Sequence, residues 1–223
     1  MNLAIIPARK SSKRIKNKNI INFFNEPIIV KTLKQIKKTK IFDKIIVTSN
    51  SNKILKISKK LGVDTFLREK KLSGDKVPVL KVIKNVLKNI KYNVDFVFYF
   101  YPTSIFVKKK YISESIEILK KNKNSMVLSV CEFSHPVERS LLMNSKNEIK
   151  FKNLKSKNKQ TQSFKKSYYD IGQFGAAKKE YFLQTNKKIK KIIGYTLKDY
   201  EACDIDNPED IEKAKFIFRN MRW

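Results

Sequence analysis

A stretch rich in basic residues and hydroxyl groups, residues 7–19, follows directly after a short apolar run at residues 3–6. Its charged and hydroxyl side chains are Arg9, Lys10, Ser11, Ser12, Lys13, Arg14, Lys16 and Lys18. Phosphate oxygens accept hydrogen bonds from cationic side chains, hydroxyl groups and backbone N–H groups, and this stretch offers all three. It has no glycine, so it matches neither the Walker A nor the Rossmann pattern. The sequence predicts a triphosphate-binding loop of another type, with a lysine-rich surface turn as the alternative.

Two aspartates near the end of the chain, Asp204 and Asp206, are separated by one residue. In an extended segment this spacing puts both carboxylates on one face. Mg²⁺ prefers oxygen ligands, so the pair suits a cation that accompanies a triphosphate. Helix capping is the alternative, because Asn207 suits an N-cap, Pro208 the first helical position and Asp210 the first turn. Capping does not require Asp204, which favours a metal site.

Two further polar segments interrupt apolar stretches of the chain. Residues 101–105 follow a strongly apolar run, and the hydroxyl groups of Thr103 and Ser104 suit hydrogen bonds to a base or a ribose. Residues 169–174 form a polar cluster between apolar residues. Each segment, taken alone, is more typical of an ordinary turn or hairpin than of a binding site.

Apolar runs alternate with helical repeats along most of the chain. The runs predict strands at residues 3–6, 44–48, 63–67, 94–100, 125–133 and 192–197. The repeats predict helices at residues 27–38, 51–61, 77–90, 110–119 and 208–219, and one around Tyr181. This order is typical of an α/β fold with a doubly wound, mostly parallel sheet. Ligands bind at the carboxyl ends of the strands in such sheets, which is where the polar segments fall.

The alternation stops between residues 134 and 175. Apolar runs shorten there, and residues 152–166 are mostly lysine, asparagine, glutamine and serine. We expect a small β-rich extension with hairpins and a mobile loop, inserted into a single domain that spans residues 1–223.

Net charge is the most unusual compositional feature, at +30 for 223 residues. The lysines are spread over the whole chain instead of one helix or stripe, which favours a compositional bias over a nucleic-acid surface. A nucleic-acid-binding protein stays open as an alternative of another class. In either case the positive field would attract a triphosphate.

Other compositional features exclude several classes of protein. Hydrophobic residues make up 41% of the chain, enough for a folded core. No apolar run approaches the roughly 20 residues needed to cross a bilayer, and no signal-peptide pattern is present, so we expect a cytoplasmic protein. Cys131 and Cys203 are expected to be free buried thiols. The lone histidine, His135, gives little support to a zinc site or a histidine-dependent triad.

Taken together, these segments resemble the acylneuraminate cytidylyltransferase family, the CMP-sugar synthetases of nine-carbon acidic sugars. The matching motifs lie in order at residues 6–19, 42–49, 66–68, 72–75, 101–104 and 204–210. The likeness extends over essentially the whole chain. Within the family the pseudaminic acid branch is most similar, because it carries an Asp-x-Gly-Gln-Phe segment, seen here at residues 170–174, and resembles residues 133–141.

The resemblance implies the reaction CTP + acidic nonulosonate → CMP-sugar + pyrophosphate, with Mg²⁺ as cofactor and direct attack of the anomeric hydroxyl on the α-phosphate. Synthetases for sialic, legionaminic or other 2-keto sugar acids are the nearest alternatives. It also implies a homodimer in which the extension packs on a partner subunit and closes the sugar site.

The resemblance assigns roles to residues of this chain. The implied catalytic residues are Arg9, Lys18 and Asp206. The implied nucleotide-binding residues are Ala8, Arg9, Ser12, Lys13, Asn19, Arg68 and Thr103. The implied substrate-binding residues are Tyr101, Asp170 and Gln173, and the implied metal ligands are Asp204 and Asp206.

Three departures from the family pattern keep an inactive family member among the alternatives. Lys10 and Ser11 stand where the loop often has two glycines, which removes conformational freedom. Asn50 stands where the family often has an acidic residue. In the segment 174–177, the residues after Phe174 are Gly, Ala and Ala, and they lack the bulky aromatic side chains that follow Gln-Phe in the pseudaminic acid branch.

Overall fold

The computed structural model describes residues 1–12, 14–184 and 191–220. In chain order its strands are β1 (Asn2–Pro7), β2 (Asn22–Phe23), β3 (Glu26–Pro27), β4 (Lys44–Ser49), β5 (Asp64–Leu67), β6 (Phe96–Phe100), β7 (Ser125–Glu132), β8 (Leu141–Met143), β9 (Ile149–Phe151), β10 (Tyr168–Lys178) and β11 (Lys191–Leu197). Its α-helices are α1 (Ile28–Lys38), α2 (Asn52–Lys60), α3 (Val79–Asn89), α4 (Lys109–Lys121), α5 (Lys179–Leu183) and α6 (Pro208–Asn220). In the described part of the chain no helix is long and apolar enough to cross a membrane.

A seven-stranded sheet in the order β11-β7-β10-β6-β1-β4-β5 forms the centre of the molecule. Strands β6, β1, β4 and β5 run parallel to one another, and β7 runs parallel to β11. Strand β10 lies between these two groups and runs antiparallel to both β6 and β7. The prediction of a mostly parallel sheet flanked by helices is therefore confirmed. Small antiparallel hairpins, β2–β3 and β8–β9, lie outside it.

The alternation of side chains along the strands divides the core into two layers. In β1, Ala4 and Ile6 belong to one buried cluster, and Leu3 and Ile5 belong to the other. The larger cluster receives buried residues of α1, α4 and α6, and the smaller one receives buried residues of α3 and α5. A strand buried on both faces explains why β1 reads as a continuous apolar run in the sequence.

Strand β10 narrows the extension that the sequence pattern predicts at residues 134–175. The structure puts Tyr168–Lys178 in the central sheet, between β6 and β7, so the part outside the sheet ends at residue 167. The sequence pattern missed this strand because its pairing with β6 uses small residues, Gly175, Ala176 and Ala177, which have low strand propensity. Tertiary pairing on both sides overrides that weak preference.

A wide bulge interrupts the pairing of β10 with β7. Asp170 pairs with Val130 and Gly175 pairs with Leu128, so residues 171–174 all face the single residue Ser129. The Ser129 hydroxyl accepts hydrogen bonds from the backbone N–H groups of residues 173 and 174, at 3.3 and 3.0 Å. The bulge therefore loses ladder bonds without leaving these two donors unpaired, and Asp170 is the last residue that pairs with β7 before it.

We predict that Gly175→Ala lowers the free energy of unfolding by about 1–3 kcal/mol, because an added Cβ would overpack the sheet. A Cβ at this position would lie 2.4 Å from ring atoms of Tyr99. Chemical denaturation of the purified variant measures the change. Gly74→Ala is the matched control, since its Cβ would make only an ordinary contact of 3.8 Å with Val77. Equal stability of the two variants would contradict the prediction.

Candidate active site

A cleft of about 710 Å³ opens at the carboxyl ends of the central strands. It is lined by Pro7, Arg9, Ser12, Arg14, Lys18, Asn19, Arg68, Leu72, Gly74, Asp75, Val77, Val79, Val82, Tyr101, Pro102, Thr103, Asp170, Gly172, Asp204 and Asp206. These residues come from the segments after β1, β5 and β6, from the bulge of β10 and from the segment before α6. The topology therefore brings together the separate polar segments of the sequence, as expected for the ligand edge of an α/β sheet.

The basic loop after β1 is held in place by hydrogen bonds that leave its cations facing the cleft. The Ala8 N–H donates to the Thr48 carbonyl at 2.9 Å, and the Asn19 side-chain amide donates to the Arg9 carbonyl at 2.8 Å. Asn17, with φ of 56°, lets the chain turn into a short 3₁₀ turn at Lys18–Ile20. These bonds fold the loop back on itself, so that side chains distant in the loop line one wall.

Most of the loop residues assigned by resemblance line the cleft. Arg9, Ser12, Lys18 and Asn19 do so. Ala8 does not, because its side chain is fully buried in the core. Lys13 lies outside the described residues.

Two departures from the family pattern contact each other. The N–H of Lys10 donates to the Asn50 side-chain oxygen at 2.8 Å. A carboxylate at position 50 could accept the same bond, so Asn50 preserves the acceptor that the loop backbone needs.

The segment of the paired aspartates both lines the cleft and forms the capped start of α6. Asp204 and Asp206 both line the cleft, while Ile205 between them is fully buried. The Asp210 carboxylate accepts the backbone N–H groups of Asp206 and Asn207, at 2.8 and 2.7 Å. The capping therefore comes from the Asp210 side chain, and it fixes the backbone that carries Asp206.

Asp206 joins this acidic segment to the basic loop. Its carboxylate lies 2.6 Å from the guanidinium of Arg14 and 3.0 Å from Nζ of Lys18. The Lys18 ammonium also donates to the Ile205 carbonyl. The sequence does not distinguish Arg14 from the other cations of the loop, because it does not show which acidic side chains lie near each of them.

Asp204 is the acid with the most strongly shifted pKa at this site. Burial, and then the negative charge of Asp206, raise its pKa to about 6, although Lys18 opposes the shift. Gly172 makes room for this carboxylate, since a Cβ there would lie 2.7 Å from it, and its φ of +64° also favours glycine. Two partly buried carboxylates close together favour the binding of a cation, and their oxygens are the hard ligands that Mg²⁺ prefers.

Asp170 and Tyr101 lie in the same part of the cleft. The Asp170 carboxylate accepts the Gly172 N–H at 2.9 Å, and burial raises its pKa. Burial and the charges of Asp170 and its acidic neighbours raise the pKa of Tyr101 to about 12, so its hydroxyl stays protonated at neutral pH. The pair offers one acceptor and one donor to a polar ligand.

Gln173, which the resemblance assigns to the sugar, does not line the cleft. Its side chain is buried and donates to the Cys203 carbonyl at 3.0 Å. Asp170 faces the cleft, whereas Gln173 faces the core and supports the backbone just before Asp204. The assignment of Gln173 to the sugar stays a prediction.

The floor of the cleft contains a buried guanidinium. Arg68 is only 7% exposed and donates to the Thr48 carbonyl at 2.8 Å. Burial, together with the nearby Arg9, lowers its pKa to about 10. Thr103 and Ser104 are both buried, at 2% and 0% exposure. Thr103 belongs to the lining of the cleft, whereas the Ser104 hydroxyl donates to the Gln173 carbonyl at 2.5 Å.

An apolar wall closes one end of the cleft. It consists of Leu72, Val77, Val79 and Val82. The helical repeat of the sequence predicts Val79 as an apolar position of the helix, and this spacing carries no sign that Val79 or Val82 also faces a ligand.

The described residues contain no group of three or more His, Cys, Asp or Glu side chains placed to hold a metal ion. A cation held by Asp204 and Asp206 would therefore need further ligands from outside this pair. Such a pair suits Mg²⁺, which commonly takes its remaining ligands from water and substrate phosphates.

The fold and this cleft define a nucleotidyltransferase. A family model described as "Cytidylyltransferase" matches residues 3–221, and the chain belongs to that family. The chain is 29% identical to a pseudaminic acid cytidylyltransferase of Campylobacter jejuni, over 98% of this chain and 96% of that protein. It is 27% identical to an N-acylneuraminate cytidylyltransferase of Escherichia coli, over 95% of this chain and 51% of that protein.

Solved structures show the same fold at low sequence identity. A CMP:2-keto-3-deoxy-manno-octonic acid synthetase complexed with CTP superimposes with a TM-score of 0.72 at 10% identity, covering 98% of both chains. The 4-diphosphocytidyl-2C-methyl-D-erythritol synthase of Anaerococcus prevotii gives a TM-score of 0.61 at 15% identity, again covering 98% of both chains.

We predict that Asp204→Asn stabilises the protein at neutral pH, by about 1–3 kcal/mol after allowance for partial exposure. The pKa of Asp204 is raised from 3.8 to about 6, so the folded state binds this proton more tightly than the unfolded state does. The wild type should thus lose stability as pH rises from about 4 through 6, and the variant should not. Denaturation in metal-free buffer at pH 4 and pH 8 measures the difference.

Asp206→Asn is the matched control for this prediction. Asp206 is paired with two cations, so its removal should leave stability unchanged or lower it. A variant of Asp204 that is less stable than the wild type at pH 8 would contradict the proposed burial penalty.

Proposed function

We propose that this protein transfers CMP from CTP to a nine-carbon acidic sugar and releases pyrophosphate. The observation that carries the proposal is the meeting of the basic loop and the paired aspartates in one cleft, through the contact between Lys18 and Asp206. Membership of the cytidylyltransferase family supports the nucleotide, and the names of the relatives support the class of sugar.

The triphosphate lies along the basic loop in this proposal. Arg9, Arg14 and Lys18 supply positive charge, and Ser12 and Asn19 supply neutral hydrogen-bonding groups. The base lies against the apolar wall, near Arg68 and Thr103. The Nε–H of Arg68 is buried without a hydrogen-bond partner, which suits an oxygen acceptor on the nucleotide.

Asp204 and Asp206 would hold Mg²⁺ as the cofactor. When bound, the ion neutralises phosphate charge and polarises the phosphorus centre that is attacked. The fit is supported by the hard oxygen ligands and by the raised pKa of Asp204, which a cation would reverse. Arg14 and Lys18 would then be free to hold phosphate oxygens instead of Asp206.

The residues of the chain contribute mainly orientation and charge neutralisation, which is what nucleotidyl transfer requires. Lys18 is positioned by the Ile205 carbonyl and by Asp206, so that its ammonium faces the phosphate path. Asp170 and Tyr101 orient hydroxyl groups of the sugar so that the anomeric oxygen approaches the α-phosphate. Gly172 leaves space beside Asp204 for this approach.

Pseudaminic acid is the sugar that we propose. The two Campylobacter relatives that carry this activity in their names align over almost their entire length, whereas the N-acylneuraminate enzyme aligns over about half of its own. The Asp-x-Gly-Gln-Phe segment at residues 170–174 supports the same branch. Sialic and legionaminic acids are the competing substrates.

We predict that the wild type releases pyrophosphate from CTP in the presence of pseudaminic acid and Mg²⁺, and that Asp206→Ala lowers the rate at least about 100-fold. A coupled pyrophosphate assay with a panel of sugar acids measures both effects. Glu209→Ala is the matched control, because Glu209 is exposed in the same segment and does not line the cleft.

Two outcomes of this assay would contradict the proposal at different levels. Turnover with another sugar acid but not with pseudaminic acid would overturn the choice of sugar alone. Near-normal turnover in Asp206→Ala would overturn the metal role of this residue.

We also propose that the protein is a homodimer, with the extension at the interface. Among the described residues, six of the fourteen exposed large hydrophobic side chains lie in this part of the chain: Val137, Leu141, Leu142, Met143, Ile149 and Leu154. Such a concentration is typical of a surface that another protein covers. A single domain over residues 1–223 and a cytoplasmic location belong to the same proposal, the latter supported by the two free thiols.

We predict that the protein scatters light as a particle of twice the chain mass of 26.2 kDa. Met143→Glu combined with Leu154→Glu should shift the equilibrium toward the monomer, because burying two charges at an interface is unfavourable. Phe216→Glu is the control, since Phe216 is similarly exposed but lies in α6, outside the extension. A wild-type monomer at micromolar concentration would contradict the proposal.

A further inference from the structure

The described lining of the cleft is electrically balanced, although the chain carries a net charge of +30. Its described lining contains four cationic residues and four acidic ones: Arg9, Arg14, Lys18 and Arg68 against Asp75, Asp170, Asp204 and Asp206. A balanced lining is unexpected for a site that binds a triphosphate. The presence of acidic residues in this lining therefore needs an explanation.

The three described cations of the basic loop that line the cleft are all paired with carboxylates of the cleft. Arg14 and Lys18 contact Asp206, and Arg9 contacts Asp75. The proposed metal site accounts for Asp206. It does not account for Asp75, which lies on a different segment, between the 3₁₀ turn at Lys70–Leu72 and α3.

The ion pair between Arg9 and Asp75 is accessible, so that a ligand can displace one of the two partners. The side chains of Arg9 and Asp75 are 35% and 33% exposed, so neither partner is locked in the core. The segment of Asp75 also contributes Leu72, Gly74 and Val77 to the cleft lining. The ion pair thus connects the loop that binds phosphate to the segment that forms the apolar wall.

We propose that Asp75 is an internal competitor for the phosphate groups of the substrate. In the absence of a polyphosphate its carboxylate occupies Arg9, and a triphosphate or pyrophosphate displaces it. Guanidinium groups bind carboxylate and phosphate with the same fork of N–H donors, so the two anions compete for one set of hydrogen bonds. This inference rests on the proposed function for the identity of the nucleotide.

The competition has a consequence for turnover. Breaking the ion pair lowers the net affinity for the polyphosphate, and reforming it favours departure of the pyrophosphate product. Because partly exposed ion pairs contribute little to stability, the expected effect on affinity is about two- to fivefold.

Asp75→Asn tests the inference through a gain of affinity. The variant should bind inorganic pyrophosphate, and CTP with Mg²⁺, about two- to fivefold more tightly than the wild type in calorimetric titrations at fixed ionic strength. Asp64→Asn is the matched control, because it removes the same charge from the 3.6 Å ion pair with Lys44, at the opposite end of β5. That control should change affinity much less.

A double substitution tests whether Asp75 acts through Arg9. Arg9→Gln alone should weaken pyrophosphate binding, and adding Asp75→Asn to it should give no further gain. Weaker or unchanged binding in Asp75→Asn would overturn the inference, as would a gain that persists without Arg9 or that Asp64→Asn reproduces. So would the absence of pyrophosphate binding by the wild type.

The outcome is separable from that of the proposed function. Tighter pyrophosphate binding by Asp75→Asn in a protein that turns over no sugar acid would support the competition and contradict the proposed reaction. Turnover of a sugar acid with no gain in affinity would do the reverse.

Discussion

The contact between Lys18 and Asp206 is the constraint on which the candidate site depends. It joins residues 188 positions apart, at 3.0 Å, and so ties the loop after the first strand to the segment before the last helix. Lys18 makes a second contact across this junction, with the Ile205 carbonyl, and the backbone of Asp206 is held by the capping carboxylate of Asp210. This one juxtaposition holds the loop proposed for the triphosphate next to the aspartates proposed for the metal ion.

The antiparallel strand β10 adds the third side of the cleft. Its bulge, sealed by the Ser129 hydroxyl, presents Asp170 to the cleft and Gln173 to the core within four residues. Gly172 lies against the Asp204 carboxylate, at a distance that excludes any side chain. The bulge in β10 thus lets the proposed sugar site and the proposed metal site share a wall. Gln173 connects the two sites by its hydrogen bond to the Cys203 carbonyl, next to Asp204.

Charge balance inside the cleft reconciles two opposing requirements. A site for a triphosphate needs several cations close together, which repel one another; burial first, and then the charge of Arg9, lower the pKa of Arg68. Carboxylates within the same lining offset that repulsion, and they are groups that a metal ion or a phosphate can engage or displace. The large positive charge of the chain as a whole lies mostly elsewhere, on exposed lysines, where it acts only as a diffuse field.

The sequence by itself determined the elements with strong periodicity and the motifs of fixed local spacing. The parallel strands, the long helices, the basic loop and the Asp204–Asp206 pair were all predicted, because apolar runs and one-residue spacing act locally. Tertiary structure alone decided that β10 belongs to the sheet, that Gln173 and Ser104 face inward, and that Arg14, Asp75 and the valines of α3 line the cleft. Those outcomes depend on contacts between residues far apart in the chain, and such contacts leave no periodic signal in the order of the amino acids.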